Sequence, residues 1–162
     1  MLRASLPYSL LALMLGCAGW QQQLTPSQSK AEPTRQARAS DAIKEFEQRR
    51  DAAQYQAALD RCRQGDLLRA ESLLSSLVGR QPEFYEARLR LAELLSARGD
   101  PAAEAHFQAV LAAQPARAEA HHAFGLFLNS QGRSAAARDH LAQATSLDPQ
   151  NEIFKITLAD FP

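Results

Sequence analysis

Residues 118–149 read AEAHHAFGLFLNSQGRSAAARDHLAQATSLDP, and residues 85–115 repeat the same pattern of glycine, alanine and proline. The three marks recur along the chain: Gly65, Gly99 and Gly132; Ala70, Ala103 and Ala137; Pro82, Pro115 and Pro149. Equivalent marks are always 33 or 34 residues apart. The chain therefore contains an internal repeat of about 34 residues, and this repeat decides the fold.

Each mark has a physical role in a pair of helices. The glycine suits the left-handed residue that ends a first helix, and the small alanine lets the second helix approach closely. Large apolar residues follow the alanine at helical spacing, and the proline closes the unit because it cannot continue a helix. These core positions of the second helices are Leu74, Leu77, Phe107, Val110, Leu141 and Ala144. The pattern predicts helix–turn–helix units and an all-α fold.

The first helices carry a large–small pair, which is Leu91-Ala92 in one unit and Phe124-Gly125 in the next. With these pairs the sequence resembles the tetratricopeptide repeat (TPR), a helix–turn–helix unit of 34 residues. The resemblance implies a TPR-type solenoid of about three repeats plus a C-terminal half-repeat that caps it. The predicted repeats are residues 51–84, 85–117 and 118–151, and the cap is 152–161. Arg88 and His121 stand at the family's tryptophan position.

The first repeat is the least regular. In strict register Arg61 would lie in its core, whereas a shift of one residue puts Tyr55, Ala58, Leu59 and Cys62 there instead. We favour the shift because an unpaired buried arginine is expensive. With Cys62 as the lone cysteine of the repeats, the sequence indicates no disulfide framework.

The predicted cap is more apolar than a solvated end requires. Its large apolar residues include Ile153, Phe154, Ile156 and Phe161. Two alternatives stay open at this stage: all of them pack inward, or some form a surface for a partner or for self-association.

The sequence before the repeats begins like an export signal. Arg3 is the only charged residue among the first 29, residues 6–15 are largely apolar, and the sequence turns polar after Cys17. This apolar run is shorter than the roughly 20 residues of a membrane-spanning helix. Met14-Leu15-Gly16-Cys17 resembles a bacterial lipobox, which implies a signal peptide at 1–16 and lipidation of Cys17. An ordinary cleaved signal peptide and a retained anchor are the alternatives.

A polar tether is predicted between Cys17 and the repeats. Residues 17–39 are rich in Gln, Ser, Thr, Pro and Ala, so they cannot bury enough apolar surface to fold alone. The TPR domain is predicted at 40–162, with Ser40 as the first N-cap and with Ile43 and Phe46 opening an apolar face. The charged run 44–51 is predicted to be a solvated helix face. Ala18, by resemblance to lipoprotein sorting rules, indicates the outer membrane and a domain that faces the periplasm.

Composition and motifs argue against several functions. The chain has 18 basic and 18 acidic residues, so no basic field indicates nucleic-acid binding. Motifs of the HExxH, GxSxG, Walker and CxxC types are absent from the sequence. His106 and His140 occupy equivalent repeat positions, and the adjacent His121 and His122 point in different directions on a helix. We therefore predict no enzyme activity, no metal and no cofactor.

The TPR resemblance implies a concave surface that holds an extended peptide or a helix. The family's groove positions fall on Glu86, Leu89, Glu93 and Ser96 in the second repeat, and on Glu119, His122, Leu126 and Asn129 in the third. Three glutamates around two leucines predict a partner segment with an apolar anchor and a basic flank. The alternative is a solvated face that binds no ligand.

The whole pattern resembles the TPR lipoproteins that assist assembly of type IV or Flp-type pili at the outer membrane. The implied function is a lipid-anchored scaffold that binds protein partners of the cell envelope. One alternative is an adaptor that recruits peptidoglycan-processing enzymes. A third hypothesis is an enzyme without a recognisable motif.

Overall fold

Seven helices follow one another in the computed structural model, which describes residues 34–161, and no strand lies in this part of the chain. They are α1 (Arg35–Arg63), α2 (Leu67–Arg80), α3 (Tyr85–Ala97), α4 (Ala102–Ala113), α5 (Ala118–Ser130), α6 (Ser134–Leu147) and α7 (Glu152–Ala159). The predicted all-α class is confirmed. The predicted signal peptide, Cys17 and most of the tether lie outside the described residues.

The three repeat glycines end the first helices, as predicted. Gly65, Gly99 and Gly132 have φ angles of 78°, 71° and 74°. A Cβ added to any of them would meet no atom within 4 Å. The left-handed backbone, and not lack of space, is therefore what favours glycine at these turns.

The second helices supply the centre of the core. Nine predicted positions are 0 % exposed: Ala70, Leu74, Leu77, Ala103, Phe107, Val110, Ala137, Leu141 and Ala144. Helices α2, α4 and α6 each end two residues before the repeat proline, at Arg80, Ala113 and Leu147. The roles predicted for the alanine, the apolar positions and the proline are confirmed.

The large–small pair is confirmed in the third repeat by a close helix contact. Phe124 is buried, and a Cβ added to Gly125 would lie 2.9 Å from Leu141 Cγ and 3.1 Å from the Ala137 carbonyl oxygen. The close approach of α6 therefore favours glycine here, because a Cβ would push on the Leu141 side chain and on the α6 backbone.

The helices stack in chain order. Each second helix contacts the first helix of the next unit, so α2 contacts α3, α4 contacts α5, and α6 contacts α7. Helices α3 and α5 also contact each other directly. The first helices therefore lie side by side on one face of a helical solenoid, and the groove positions predicted from the sequence belong to these helices.

Helix α1 begins earlier than predicted. Its N-cap is Thr34, whose side-chain oxygen accepts a hydrogen bond from the Ala37 amide at 3.2 Å. Ser40 lies inside the helix and donates to the Ala37 carbonyl, so the prediction of an N-cap at Ser40 is wrong. Ile43 and Phe46 are 60 % and 67 % exposed. They do form an apolar face, but no described residue covers it.

A buried carboxylate joins the middle of α1 to the end of α2. Asp51 is 4 % exposed, and its Oδ1 accepts hydrogen bonds from Arg50 at 3.0 Å and from Arg80 at 3.1 Å. Burial acts to raise the pKa of Asp51, but the two arginine hydrogen bonds outweigh it and the pKa is lowered. Asp51 therefore departs from the prediction that the whole run 44–51 is solvated.

The shifted register of the first repeat fits the structure. Ala58 is 0 % exposed, and Tyr55 packs against the core with its ring centroid 5.2 Å from that of Phe84. Leu59 and Cys62 are only half-buried. Arg61 is also half-buried, but it does not belong to the core cluster, and its guanidinium donates an exposed hydrogen bond to the Gln64 side chain.

Helix α7 caps the solenoid and divides its apolar residues between two faces. Phe154 and Phe161 are buried, and Phe154 clusters with Ala118 and Ala144. Ile153 and Ile156 are 66 % and 58 % exposed. The alternative that all of these residues pack inward is therefore wrong.

Candidate protein-binding groove

Seven of the eight predicted groove residues line two adjoining depressions on the face formed by α3 and α5, and Glu93 belongs to both. Asn129 is not among the residues that line either one; it accepts a hydrogen bond from Ser134 at 3.5 Å at the end of α5. The repeat register therefore identified positions that the fold does bring together.

The first of these, which we call the apolar depression, is built for a nonpolar group. It is lined by Glu93, Ser96, Ala97, Phe107, His122, Ala123 and Leu126. Phe107 is fully buried, whereas Leu126 is 45 % exposed. A large side chain left this exposed on a concave face is a natural contact for a partner's apolar anchor.

The second, which we call the charged depression, holds ion pairs that the sequence did not reveal. It is lined by Tyr55, Glu86, Leu89, Arg90, Glu93, Arg117 and Glu119. Arg90 contacts Glu93 at 2.7 Å and Arg117 contacts Glu86 at 3.4 Å. Glu93 is the main cause that raises the pKa of Arg90. Two of the three predicted glutamates are therefore already paired, and Glu119 forms no ion pair with another residue of the range 34–161.

Leu89 was predicted to contact a partner, but it is buried in the structure. It is 4 % exposed and belongs to the main core. Its repeat position is the same as that of His122, but the packing of α3 turns it inward. A charged substitution at Leu89 would disturb folding, so Leu126 is the apolar residue that can contact a partner.

His122 joins the groove to the cap. Its Nε2 lies 3.1 Å from Thr157 Oγ1, and its ring centroid lies 4.7 Å from that of Phe154. Burial lowers the pKa of His122. A partner that reaches this residue therefore also contacts α7.

The structure pairs two histidines that the sequence analysis treated separately. His121 Nδ1 lies 2.9 Å from His140 Nδ1, and His121 Nε2 lies 3.0 Å from the Pro115 carbonyl oxygen. Since a carbonyl only accepts, Nε2 of His121 carries hydrogen and Nδ1 of neutral His121 accepts from His140. Burial is the first cause that lowers the pKa of His140, and His121 adds to it. The pair fixes α5 against α6.

The preceding repeat has a related but incomplete arrangement. Arg88 occupies the position of His121 and donates to the Pro82 carbonyl at 2.8 Å, as His121 does to Pro115. His106 stands where His140 does, but its buried Nδ1 has no hydrogen-bond partner among the described residues. The repeat register aligns position 88 with 121 and position 106 with 140, but only the third repeat has two histidines at these positions.

No family model matches the chain, and no curated protein does. Several solved structures are similar to it. A MamA structure from Desulfovibrio magneticus has a TM-score of 0.62 at 24% identity and covers 67% of this chain and 62% of its own. PilF of Pseudomonas aeruginosa has a TM-score of 0.59 at 23% identity and covers 67% and 50%. The fold is a TPR solenoid.

A variant of O-GlcNAc transferase from Thermobaculum terrenum is also similar, with a TM-score of 0.62 and 26% identity. It covers 67% of this chain but only 22% of the transferase. The chain thus spans less than two thirds of the length of each of these three proteins. The likeness to a piece of one enzyme concerns the repeat architecture.

Two features of the described residues bear on the kind of site. Residues 34–161 contain no group of three or more His, Cys, Asp or Glu side chains placed to hold a metal ion. In the same range, every helix is too short or too polar to cross a membrane.

Proposed function

We propose that this chain is a protein-binding scaffold of the cell envelope and that its concave TPR face holds the partner. The observation that carries the proposal is the apolar depression, where Leu126 stays 45 % exposed at a groove position of the repeat. A partner segment with one apolar anchor fits it. A positive group beside that anchor would meet Glu119, which has no ion pair in residues 34–161.

The test places a photo-crosslinking amino acid at residue 126 in cells. We expect it to capture a defined protein, whereas the same probe at Leu68 should not. Leu68 is 74 % exposed on α2, away from the groove, so both probes leave the core intact. Equal capture from both positions, or none from 126, would refute the groove as the binding surface.

We further propose that the scaffold is anchored in the outer membrane by lipid on Cys17 and faces the periplasm. The lipobox-like Met14-Leu15-Gly16-Cys17 supports this, as does the polar stretch that follows. Multiple acyl chains give stable anchoring. Mass spectrometry should find an acylated Cys17 at the mature amino terminus, and Cys17→Ser should leave the membrane fraction. An unmodified cysteine at that terminus would rule out the anchor.

The pathway we propose is assembly of a pilus or a secretion-type complex. The resemblance of the sequence to pilus-assembly TPR lipoproteins supports it. Capture of a pilus-machine component from residue 126 is the expected result. Capture of a peptidoglycan-processing enzyme would favour an adaptor role instead.

A further inference from the structure

The first part of α1 is largely exposed, and no described residue covers its apolar face. We call residues 35–50 the α1 extension, and all of them are exposed except Ala37 and Glu47. Sixteen helical residues span ~24 Å. A helix of this length is marginal in water unless one face is packed. The extension therefore gains stability if its apolar face is covered.

That apolar face has helical spacing. Ala39, Ala42, Ile43 and Phe46 follow at i, i+3, i+4 and i+7, so they lie on one side of the helix. Ile43 is 60 % exposed and Phe46 is 67 % exposed. Two large apolar side chains one turn apart are the usual anchors of a helix that docks in a groove.

The concave face offers a matching apolar surface at its C-terminal end. Leu126 is 45 % exposed, Ile153 66 % and Ile156 58 %. In the repeat register Ile153 and Ile156 are equivalent to Glu119 and His122. The apolar track of the groove therefore continues from α5 onto α7.

The charges are complementary. The α1 extension has five basic and three acidic residues, so its net charge is positive. Arg35 and Arg38 precede the apolar face, and Arg49 and Arg50, which follow it, already pair with Glu45 and Asp51. On the groove side, Glu119 and Asp160 border the apolar track and form no ion pair with another residue in the range 34–161. A net positive extension and acidic groups beside the groove favour contact between the two surfaces.

The lengths also agree. Neighbouring packed helices are ~8–10 Å apart, so a helix that crosses α3, α5 and α7 covers about 16–20 Å. The α1 extension is slightly longer than that. It cannot reach the groove of its own chain, because it continues α1 without a break over 29 residues. Only a second molecule can present it there.

We propose that the α1 extension of one copy docks in the concave face of a second copy, head to tail. This rests on the proposed function, since it names an occupant for the same groove. Ile43 and Phe46 contact Leu126, Ile153 and Ile156 of the neighbour. Such an interface is heterologous, so each copy can bind one neighbour through its extension and another through its groove, which builds assemblies of more than two molecules.

The test mixes two defective variants of the full chain and asks whether each restores the other's missing surface. Sedimentation velocity in density-matched detergent measures the mass of the assembly. Phe46→Asp removes the extension's anchor, and Ile156→Asp removes the groove's anchor. We expect the wild-type mass to rise with concentration, while each variant alone stays at one chain at about tenfold higher concentration. An equimolar mixture of the two should give dimers and nothing larger, because it contains one intact extension and one intact groove.

Leu68→Asp is the matched control, since it changes an equally exposed leucine outside both surfaces and should behave as wild type. A monomeric wild type, an assembly that resists Phe46→Asp, or a mixture that stays monomeric would overturn the proposal. The outcome is separable from the groove function. Capture of a different protein from residue 126, with a monomeric wild type, would refute self-docking alone; capture of nothing would refute the groove as well.

Discussion

Single residues of the core are defined by close contact between helices, and Gly125 is the sharpest case. A Cβ at this position would lie 2.9 Å and 3.0 Å from two Leu141 carbons and 3.1 Å from a backbone oxygen. Gly125→Ala should therefore lower the free energy of unfolding by about 1–3 kcal/mol, because the buried Leu141 side chain and the Ala137 carbonyl of α6 have to shift. Urea denaturation checks this.

Gly79→Ala is the control for that substitution. Gly79 is also helical, but a Cβ there meets nothing within 4 Å. Helix propensity should raise the stability by about 0.5–1 kcal/mol. Equal effects at the two glycines would contradict the close approach of α5 and α6.

A second prediction at this scale concerns His106. Burial lowers its pKa, and nearby Arg88 lowers it further. The unfolded chain, with a histidine pKa near 6.5, then binds the proton at a higher pH than the folded chain. Stability is therefore lost as the pH falls from 6.5 towards the folded pKa, and it is fully present above 6.5.

His106→Leu should reduce this loss. Leucine already occupies the equivalent position in the first repeat, as Leu73, and the change removes a buried Nδ1 that has no partner in residues 34–161. We expect a shallower fall in the free energy of unfolding between about pH 7 and pH 5 than in wild type. Urea titrations across that range measure it. Superimposable pH profiles would show that His106 contributes nothing to the dependence.

Among the elements, α1 and α2 are joined by a polar contact as well as by apolar packing. Arg80, the last residue of α2, reaches the buried Asp51 of α1. Arg80→Gln should lower the free energy of unfolding by about 1–3 kcal/mol, because a buried carboxylate loses one of its two arginines. Thermal and urea unfolding are the measurements.

Arg49→Gln is the matched change for that experiment. Arg49 pairs with Glu45 one turn away on the same helix, and both side chains are exposed. Its loss should change the free energy of unfolding by less than about 0.5 kcal/mol. If Arg80→Gln changed the free energy of unfolding equally little, the contact with Asp51 would not hold α1 to α2.

The regular elements could be predicted because repetition supplied an internal alignment. Three copies of the glycine, alanine and proline marks identified α2 to α6 and nine fully buried positions. The ends could not be predicted in the same way. Thr34 caps α1 at a position that has no counterpart in the repeat pattern, and Ile43 is exposed because no repeat unit of residues 34–161 packs on it.

The groove could be predicted in position but not in chemistry. Fixed repeat positions located Glu93 and Leu126 in the same depression. The inward turn of Leu89 and the pairing of Glu86 with Arg117 depend on side chains from other helices. Such contacts join residues about 30 positions apart, and local periodicity contains no information about them.

At the scale of the whole molecule, a solenoid is stable where its repeats have neighbours on both sides. Helices α5 and α6 have such neighbours, whereas no other helix of residues 34–161 packs on the apolar face of the α1 extension. Amide hydrogen exchange should therefore be faster in the α1 extension than in the core helices. At low concentration, amides of residues 39–46 should be at least about a hundredfold less protected than those of residues 124–128, which lie in the core.

The same measurement, repeated at high concentration, connects this gradient to self-docking. If the α1 extension of one copy enters the groove of the next, protection should rise together in residues 39–46 and 152–158 and stay constant in α2. The Phe46→Asp variant should abolish both increases. Protection that rises in the extension alone would mean that it finds a different surface, because docking in the groove must cover α7 at the same time.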